Sequence, residues 1–423
     1  MEPVISRISP AEGITVHILR TRQFKTLLVR LAIRVPLEAA TAPLNALISQ
    51  MTARVSRPWP RLTDVNRRLD ELFGASLYGQ VNKAGESQVL EWTLNCAAPE
   101  RVGRPELLKE ALRFMRDMVC DPLVENGGFD GSLFSQERTI LLQEQEARQN
   151  DKMTYAYERC IEELCAGEPF AVHRLGGQEP LAAADPNALY EHYLELLGRA
   201  QVDWVVVGDV EPEPMAELLS DVFRLPPRSL QPISRELIRP AGPLRRVVEP
   251  MDVKQGKLNL GFRTGIPYES PAYDAAMLMG VVFGGGASSK LFQTIREQES
   301  LCYSIYARTE KTKSLLVVGA GIDLDKAEVV EAGVLRELQA LQQGRVTEAD
   351  LNLARLTVAR SLSAIRDSQG GLADYYYSQH LSTRRYTLSE SISRLQQVTL
   401  NDIVDAAGAA QLEVAYFLNG KEA

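Results

Sequence analysis

The chain has 423 residues, too many for one ordinary domain and suited to two. With 45% hydrophobic and 24% charged residues its composition is that of a globular protein, which excludes the disordered and fibrous classes. The formal net charge of −8 argues against nucleic acid as a partner, because phosphate contacts need a basic face.

The opening residues, Met-Glu-Pro-Val-Ile-Ser-Arg, hold no basic stretch followed by an apolar one, so no signal peptide is expected. The longest uncharged apolar run, Ala275 to Ala287, is broken by glycine and too short to span a bilayer. Five cysteines (Cys96, Cys120, Cys160, Cys165, Cys302) form no CxxC pair, which leaves buried free thiols in a reducing compartment as the expectation. These features together predict a cytoplasmic protein with no membrane contact.

Along the first half, the apolar pattern of Thr26–Val35 predicts a strand, and Leu44, Leu47, Ile48 and Met51 recur at helical spacing after it. A short helix over Asp64–Phe73 is followed by strand patterns at Ser76–Asn82 and Ser87–Cys96. Arg104-Pro105 suits a helix start, since proline fits the first turn. Helices are expected through Ser132–Arg148 and Lys152–Leu164 and after Asp185-Pro186, before a buried strand at Trp204–Gly208.

A proline-rich stretch from Pro226 and Pro227 through Pro232, Pro240 and Pro243 lacks periodicity and reads as an extended linker. Beyond it the same plan returns. A strand at Lys257–Thr264 precedes helices at Tyr273–Phe283 and Lys290–Gln298. Strands at Tyr303–Thr309 and Ser314–Gly321 lead to helices at Asp325–Gln342 and Glu348–Ser363, and a strand at Val414–Leu418 closes the half. Strands gathered around hairpins and helices gathered together predict an α+β fold. We therefore expect two homologous halves, each a mostly antiparallel sheet with helices on one face: residues 1–225 and 246–423, joined by a linker at 226–245. The local likeness of Leu72-Phe-Gly-Ala-Ser-Leu-Tyr78 to Glu299-Ser-Leu-Cys-Tyr-Ser-Ile305, each before a hairpin, supports the duplication.

Several stretches then resemble one family. The run Phe283-Gly-Gly-Gly-Ala-Ser-Ser-Lys-Leu-Phe-Gln-Thr-Ile-Arg-Glu-Gln-Glu-Ser-Leu-Cys-Tyr-Ser304 is similar to a glycine-rich turn, short helix, Arg-Glu pair and Tyr-Ser of the insulinase or pitrilysin-type zinc peptidases. Two similar α+β halves joined by a linker resemble the build of their mitochondrial-processing-peptidase-like branch. Glu137-Arg-Thr-Ile-Leu-Leu-Gln-Glu144 and Trp204-Val-Val-Val-Gly-Asp-Val210 look like it too. Leu69–Leu77 and the Gly167–Gly177 loop are similar to a bacterial group of paired, zinc-motif-lacking proteins. The likeness covers nearly the whole chain.

The family's catalytic element is His-x-x-Glu-His on the first helix of the first half. Two histidines four apart share a helical face and reach one zinc ion, and the glutamate activates the metal-bound water. Here that helix reads Pro43-Leu-Asn-Ala-Leu-Ile-Ser-Gln-Met51, so Asn45, Ile48 and Ser49 occupy the motif positions, and none suits the chemistry. The four histidines, His17, His173, His192 and His380, have no pair at motif spacing; His192 reads as a surface residue of an amphipathic helix. Glu144 and Glu137 match the third ligand and its companion and, without histidines, read as vestigial. No metal or other cofactor is expected in this chain, with zinc confined to the partner.

What the resemblance leaves functional lies in the second half. Arg296 and Tyr303 match a family arginine and tyrosine that contact substrate backbone and the carbonyl under attack, a role for which guanidinium and phenol donors suit developing negative charge. Gly284, Gly285 and Gly286 read as a substrate-contacting turn. They do not form a phosphate loop, because Lys290 is followed by Leu291 instead of Ser or Thr. The resemblance implies a non-catalytic subunit that completes a peptide-binding chamber with a homologous zinc-bearing peptidase subunit, and leaves open whether the isolated chain forms a homodimer. The competing readings are a peptide-binding scaffold without a protease partner and hydrolysis by Glu137, Glu144 and Glu146. The last lacks any histidine or nucleophile.

Overall fold

A computed structural model describes residues 2–225, 228–236 and 238–420; Pro226 and Pro227 of the linker lie outside them. The chain forms two compact units. The first comprises 1–146, 172–234 and 365–381, and the second 147–171, 235–364 and 382–423.

In the first unit, strands β1 (Val4–Ala11), β2 (Ile14–Arg20), β3 (Thr26–Pro36), β4 (Ser76–Ala84), β5 (Ser87–Ala97) and β8 (Gln201–Gly208) make one sheet in the order β1-β2-β8-β3-β5-β4. Only β2 and β8 run parallel. A two-residue ladder, β6 (Val124–Glu125) with β7 (Gly128–Phe129), stands apart from it. The two-residue period sorts the side chains. Leu27, Val29, Leu31 and Ile33 of β3, Leu90, Trp92 and Leu94 of β5, and Val202, Trp204 and Val206 of β8 enter the core beneath the helices. The alternate residues Arg30, Glu91, Thr93 and Asp203 are also buried, on the opposite face.

That second face is covered by the helix Gln369–His380, which comes from the far half of the chain. It is held by polar contacts: Arg30 Nη1 donates to Asp374 at 2.6 Å and Tyr377 Oη donates to Asp203 at 3.1 Å. Gln369 Nε2 donates to the carbonyls of Thr26 and Val207.

In the second unit, β9 (Arg245–Met251), β10 (Gly256–Arg263), β11 (Ser304–Glu310), β12 (Leu315–Ile322) and β13 (Gln411–Gly420) pair in the order β11-β12-β10-β13-β9, with only β13 and β9 parallel. Strand for strand this is the order β4-β5-β3-β8-β2, including the single parallel pair, so the expected duplication is present at the level of topology. One face, with Leu258, Leu260, Phe262, Val318 and Phe417, packs on the unit's own helices. The other is apolar as well. Leu315, Val317, Val414 and Tyr416 meet Ala156, Cys160, Ile161 and Leu164 of the helix Lys152–Leu164, which the first half supplies. Each unit therefore has the expected helical layer on one sheet face and a single helix from the other half on the second.

At the rim of this second layer lies a buried ion cluster. Glu168 meets Arg263 at 2.6 Å and Lys313 at 2.7 Å, and Arg263 reaches Glu413 at 3.1 Å. Lys313 also donates to the carbonyl of Glu236.

Candidate functional site

The motif helix is Ala42–Arg54, entered through Thr41 with Pro43 in its first turn. Asn45 and Ser49 are four residues apart and share one face, with Ile48 beside them, and all three are buried. Each polar group is engaged by a neutral partner. Asn45 Nδ2 donates to Gln88 Oε1 at 2.7 Å, and Gln88 Nε2 in turn donates to the carbonyls of Ala42 and Arg174. Ser49 Oγ donates to the carbonyl of Gln80 at 3.1 Å. His192, on the helix Pro186–Arg199, points Nε2 at Asn45 Oδ1 at 2.7 Å. Since that oxygen only accepts, Nε2 carries the proton. Burial lowers the His192 pKa from its ordinary value, opposed by Glu195 and Glu38.

The expectation of a surface His192 is thus corrected: the side chain is half-buried and closes the network on the motif helix. Gln88 was not legible as a partner either, because nothing in a strand pattern marks one fully buried amide. The glutamates of the helix Gly131–Ala147 are engaged separately. Glu137 is buried with Arg54 Nε 3.2 Å from Oε1, and burial raises its pKa against the pull of Arg54. Glu144 is exposed and accepts from Gln50 at 3.0 Å. This donor set does not suit zinc. It offers an amide, a hydroxyl and an isoleucine, not imidazoles and a carboxylate, and the His192 imidazole spends its Nε2 on Asn45.

In the second unit, the helix Tyr273–Gly284 ends in the glycine turn. Gly284 is buried, and a Cβ there would lie 2.5 Å from Ala307 N on β11, so it is held by close packing. Gly285 and Gly286 are exposed; Gly286 has φ +146° with open space around it. A π-helical segment, Phe292–Gln298, follows. Its wide turn is closed by Glu299 N donating to Thr294 O at 2.9 Å, while buried Ile295 anchors it.

Arg296 leaves this segment with its guanidinium 4.4 Å over the Phe292 ring and Nη1 3.9 Å from Glu297. Tyr303 follows, 59% exposed, with its backbone N–H on the carbonyl of Gly321 and its hydroxyl donating to Asp323 at 2.8 Å. That bond raises the phenol pKa. The Arg296 guanidinium and the Tyr303 hydroxyl are both donors in partly solvated settings on adjoining segments.

Residues 183–358 match the Peptidase M16 inactive domain. The chain is 30% identical over 415 residues to the Probable inactive metalloprotease YmfF of Bacillus subtilis (strain 168), covering 97% of this chain and 96% of that one. It is 25% identical over 304 residues, 68% of this chain and 66% of the other, to an Uncharacterized zinc protease, MT2852, of Mycobacterium tuberculosis (strain CDC 1551 / Oshkosh). A conserved protein of Enterococcus faecalis V583, known from its crystal structure, shares the fold over 99% of both chains with a TM-score of 0.93 and 24% identity. A match over nearly all of both chains, together with a motif helix that carries none of the zinc chemistry, places this chain in the M16 (insulinase-type) peptidase family as an inactive, non-catalytic homologue.

Proposed function

We propose that this chain is the zinc-free subunit of a two-chain M16-type peptidase and forms half of a peptide-binding chamber. Its partner is a homologous subunit with an intact His-x-x-Glu-His, which supplies the metal and its water. This chain supplies Arg296, Tyr303 and the exposed Gly285 and Gly286 of the turn as contacts to the peptide and to the oxyanion formed on it, whereas Gly284, expected as a third contact, is buried against Ala307. Its compartment is the cytoplasm. Among the described residues no helix is long and apolar enough to cross a membrane.

The observation that carries this reading is a contrast between two elements. The motif helix has closed over with neutral, buried hydrogen bonds. Arg296 and Tyr303 instead stay at the surface, the tyrosine 59% exposed with its hydroxyl resting on the partly exposed Asp323, where neither is needed by the core. A guanidinium and a phenol held in this way suit backbone carbonyls of an extended peptide.

The test is reconstitution with the zinc-bearing homologue from the same organism, followed by turnover of a quenched fluorescent peptide. The pair cleaves, while this chain alone does not. A homologue equally active without this chain overturns the reading. A stable pair whose turnover ignores Arg296→Ala and Tyr303→Phe reduces the chain to a scaffold.

A further inference from the structure

The two-residue alternation that builds the first unit's core leaves His17 of β2 and Asp203 of β8 on the opposite face of the sheet, under the helix Gln369–His380. The parallel pairing of β2 with β8 sets Asp203 across from Thr15 and His17 across from Val205, so the two side chains lie close. The last residue of the covering helix, His380, completes a cluster whose members are far apart in sequence. His17 Nε2 is 3.8 Å and His380 Nε2 3.3 Å from the same oxygen, Asp203 Oδ1, and the two imidazole rings are 4.0 Å apart.

We propose that His17, Asp203 and His380 form a binding site for one divalent transition-metal ion of the zinc and cobalt class, which pins the helix Gln369–His380 to the sheet. Ligands about 2.0–2.2 Å from a tetrahedral ion stand about 3.3–3.6 Å from one another; His380 and Asp203 have that spacing at 3.3 Å, and His17 at 3.8 Å from Asp203 needs only a small inward shift. One ligand atom from each residue lies within 4.8 Å of the others. The contacts within the cluster are at ion-pair distance but are not aligned as hydrogen bonds. His17 Nε2 and Asp203 Oδ1 are buried with no hydrogen-bond partner, although Asp203 is fully buried. Two such atoms in a dry site cost free energy unless a further group joins them.

The carboxylate is also oriented for this. Its second oxygen, Oδ2, accepts from Tyr377 Oη at 3.1 Å and has Arg34 Nε at 3.7 Å, which turns Oδ1 toward the histidines. Two imidazoles and one carboxylate form a set that borderline metals prefer, whereas magnesium and calcium seek more oxygens. Arg34 opposes a cation and limits the affinity, and a water takes the fourth position. This site owes nothing to the motif helix or to the proposed pairing, and it would be a structural centre in a chain expected to be metal-free.

The experiment uses the full chain, stripped with chelator and titrated with Co2+. The expected result is one Co2+ per chain with the intense visible bands of four-coordinate cobalt, displaced by Zn2+, and a higher thermal midpoint with either ion. His17→Gln and His380→Gln each weaken binding at least about tenfold, and Tyr377→Phe, which keeps every ligand, by about ten- to a hundredfold. His192→Gln, on the motif-helix network, leaves binding unchanged. Folded wild-type protein that takes up no Co2+ overturns the proposal. So does binding that survives in the His17→Gln/His380→Gln double variant, or binding that disappears with His192→Gln.

Discussion

His192 Nε2 lies 2.7 Å from Asn45 Oδ1, so this imidazole is bound to a side-chain amide of the helix Ala42–Arg54. The amide is fixed from its other end by Gln88, itself fully buried. A zinc site needs converging lone pairs; this one is a closed chain of donors and acceptors.

Replacing Asn45 with leucine leaves Gln88 Oε1 and the His192 N–H without partners. The loss of stability is expected to be about 1–3 kcal/mol, the cost of stranding buried polar groups. Urea unfolding followed by circular dichroism measures it. An unchanged midpoint would show that the network contributes nothing to folding.

The His192 imidazole is held below its ordinary pKa by burial, while Glu195 and Glu38 pull the other way. The unfolded chain then binds the proton more readily than the native one, so this residue favours folding above the unfolded pKa, about 6.5. Stability falls as pH drops from 7 toward 5, and His192→Gln removes that share of the slope. Unfolding midpoints across this range, wild type against variant, give the comparison.

Arg296→Ala and Tyr303→Phe leave folding and partner binding intact, since a solvated guanidinium and a surface hydroxyl contribute little to stability. Each lowers peptide turnover of the reconstituted pair by a factor of about ten to a thousand, the range for losing one oxyanion donor. Gel filtration of the same samples establishes that the complex still forms.

In the second unit, Glu168→Ala strips Arg263 and Lys313 of their shared carboxylate. Breaking a buried ion cluster from one side costs about 3–5 kcal/mol because the cations stay buried. Thermal unfolding should register this as one of the larger losses available to a single substitution outside the apolar core.

Within the glycine turn, Gly284→Ala sets a methyl 2.5 Å from Ala307 N and 2.6 Å from its Cβ. Overpacking of this kind costs about 1–3 kcal/mol. A wild-type midpoint in this variant would mean the turn yields readily, and would favour a mobile role for the whole triplet.

Much of this architecture was legible because apolar period and turn residues carry it. The strands from Thr26, Ser87 and Lys257, and the Tyr273 helix, follow from local pattern alone. The edge strand Val4–Ala11 was not legible: its side chains are mostly exposed and give no alternation to detect. The helix Gln369–His380 also escaped, since Tyr375, Tyr376, Tyr377 and His380 mix aromatic and polar groups without a clean stripe. That helix in turn hid the pairing of His17 with His380, which no sequence spacing shows. That Asn45, Ile48 and Ser49 are side chains unsuited to zinc was readable from residue identity. The hydrogen bonds of Asn45 to Gln88 and His192 were not, because those partners come from a strand and a helix elsewhere in the chain.

The exchange of helices also sets an order of events during synthesis. Strand Gln201–Gly208 is made roughly 170 residues before the helix that covers its polar face, an interval of about 10–30 s on the ribosome. Throughout that interval Arg30 and Asp203 face water, which their charges tolerate far better than an apolar surface would. The second unit's sheet has no such wait, because its covering helix Lys152–Leu164 is already made when β9 to β13 emerge. Of the two sheet faces covered by a helix from the other half, the one whose cover is made last is polar and the one whose cover is made first is apolar.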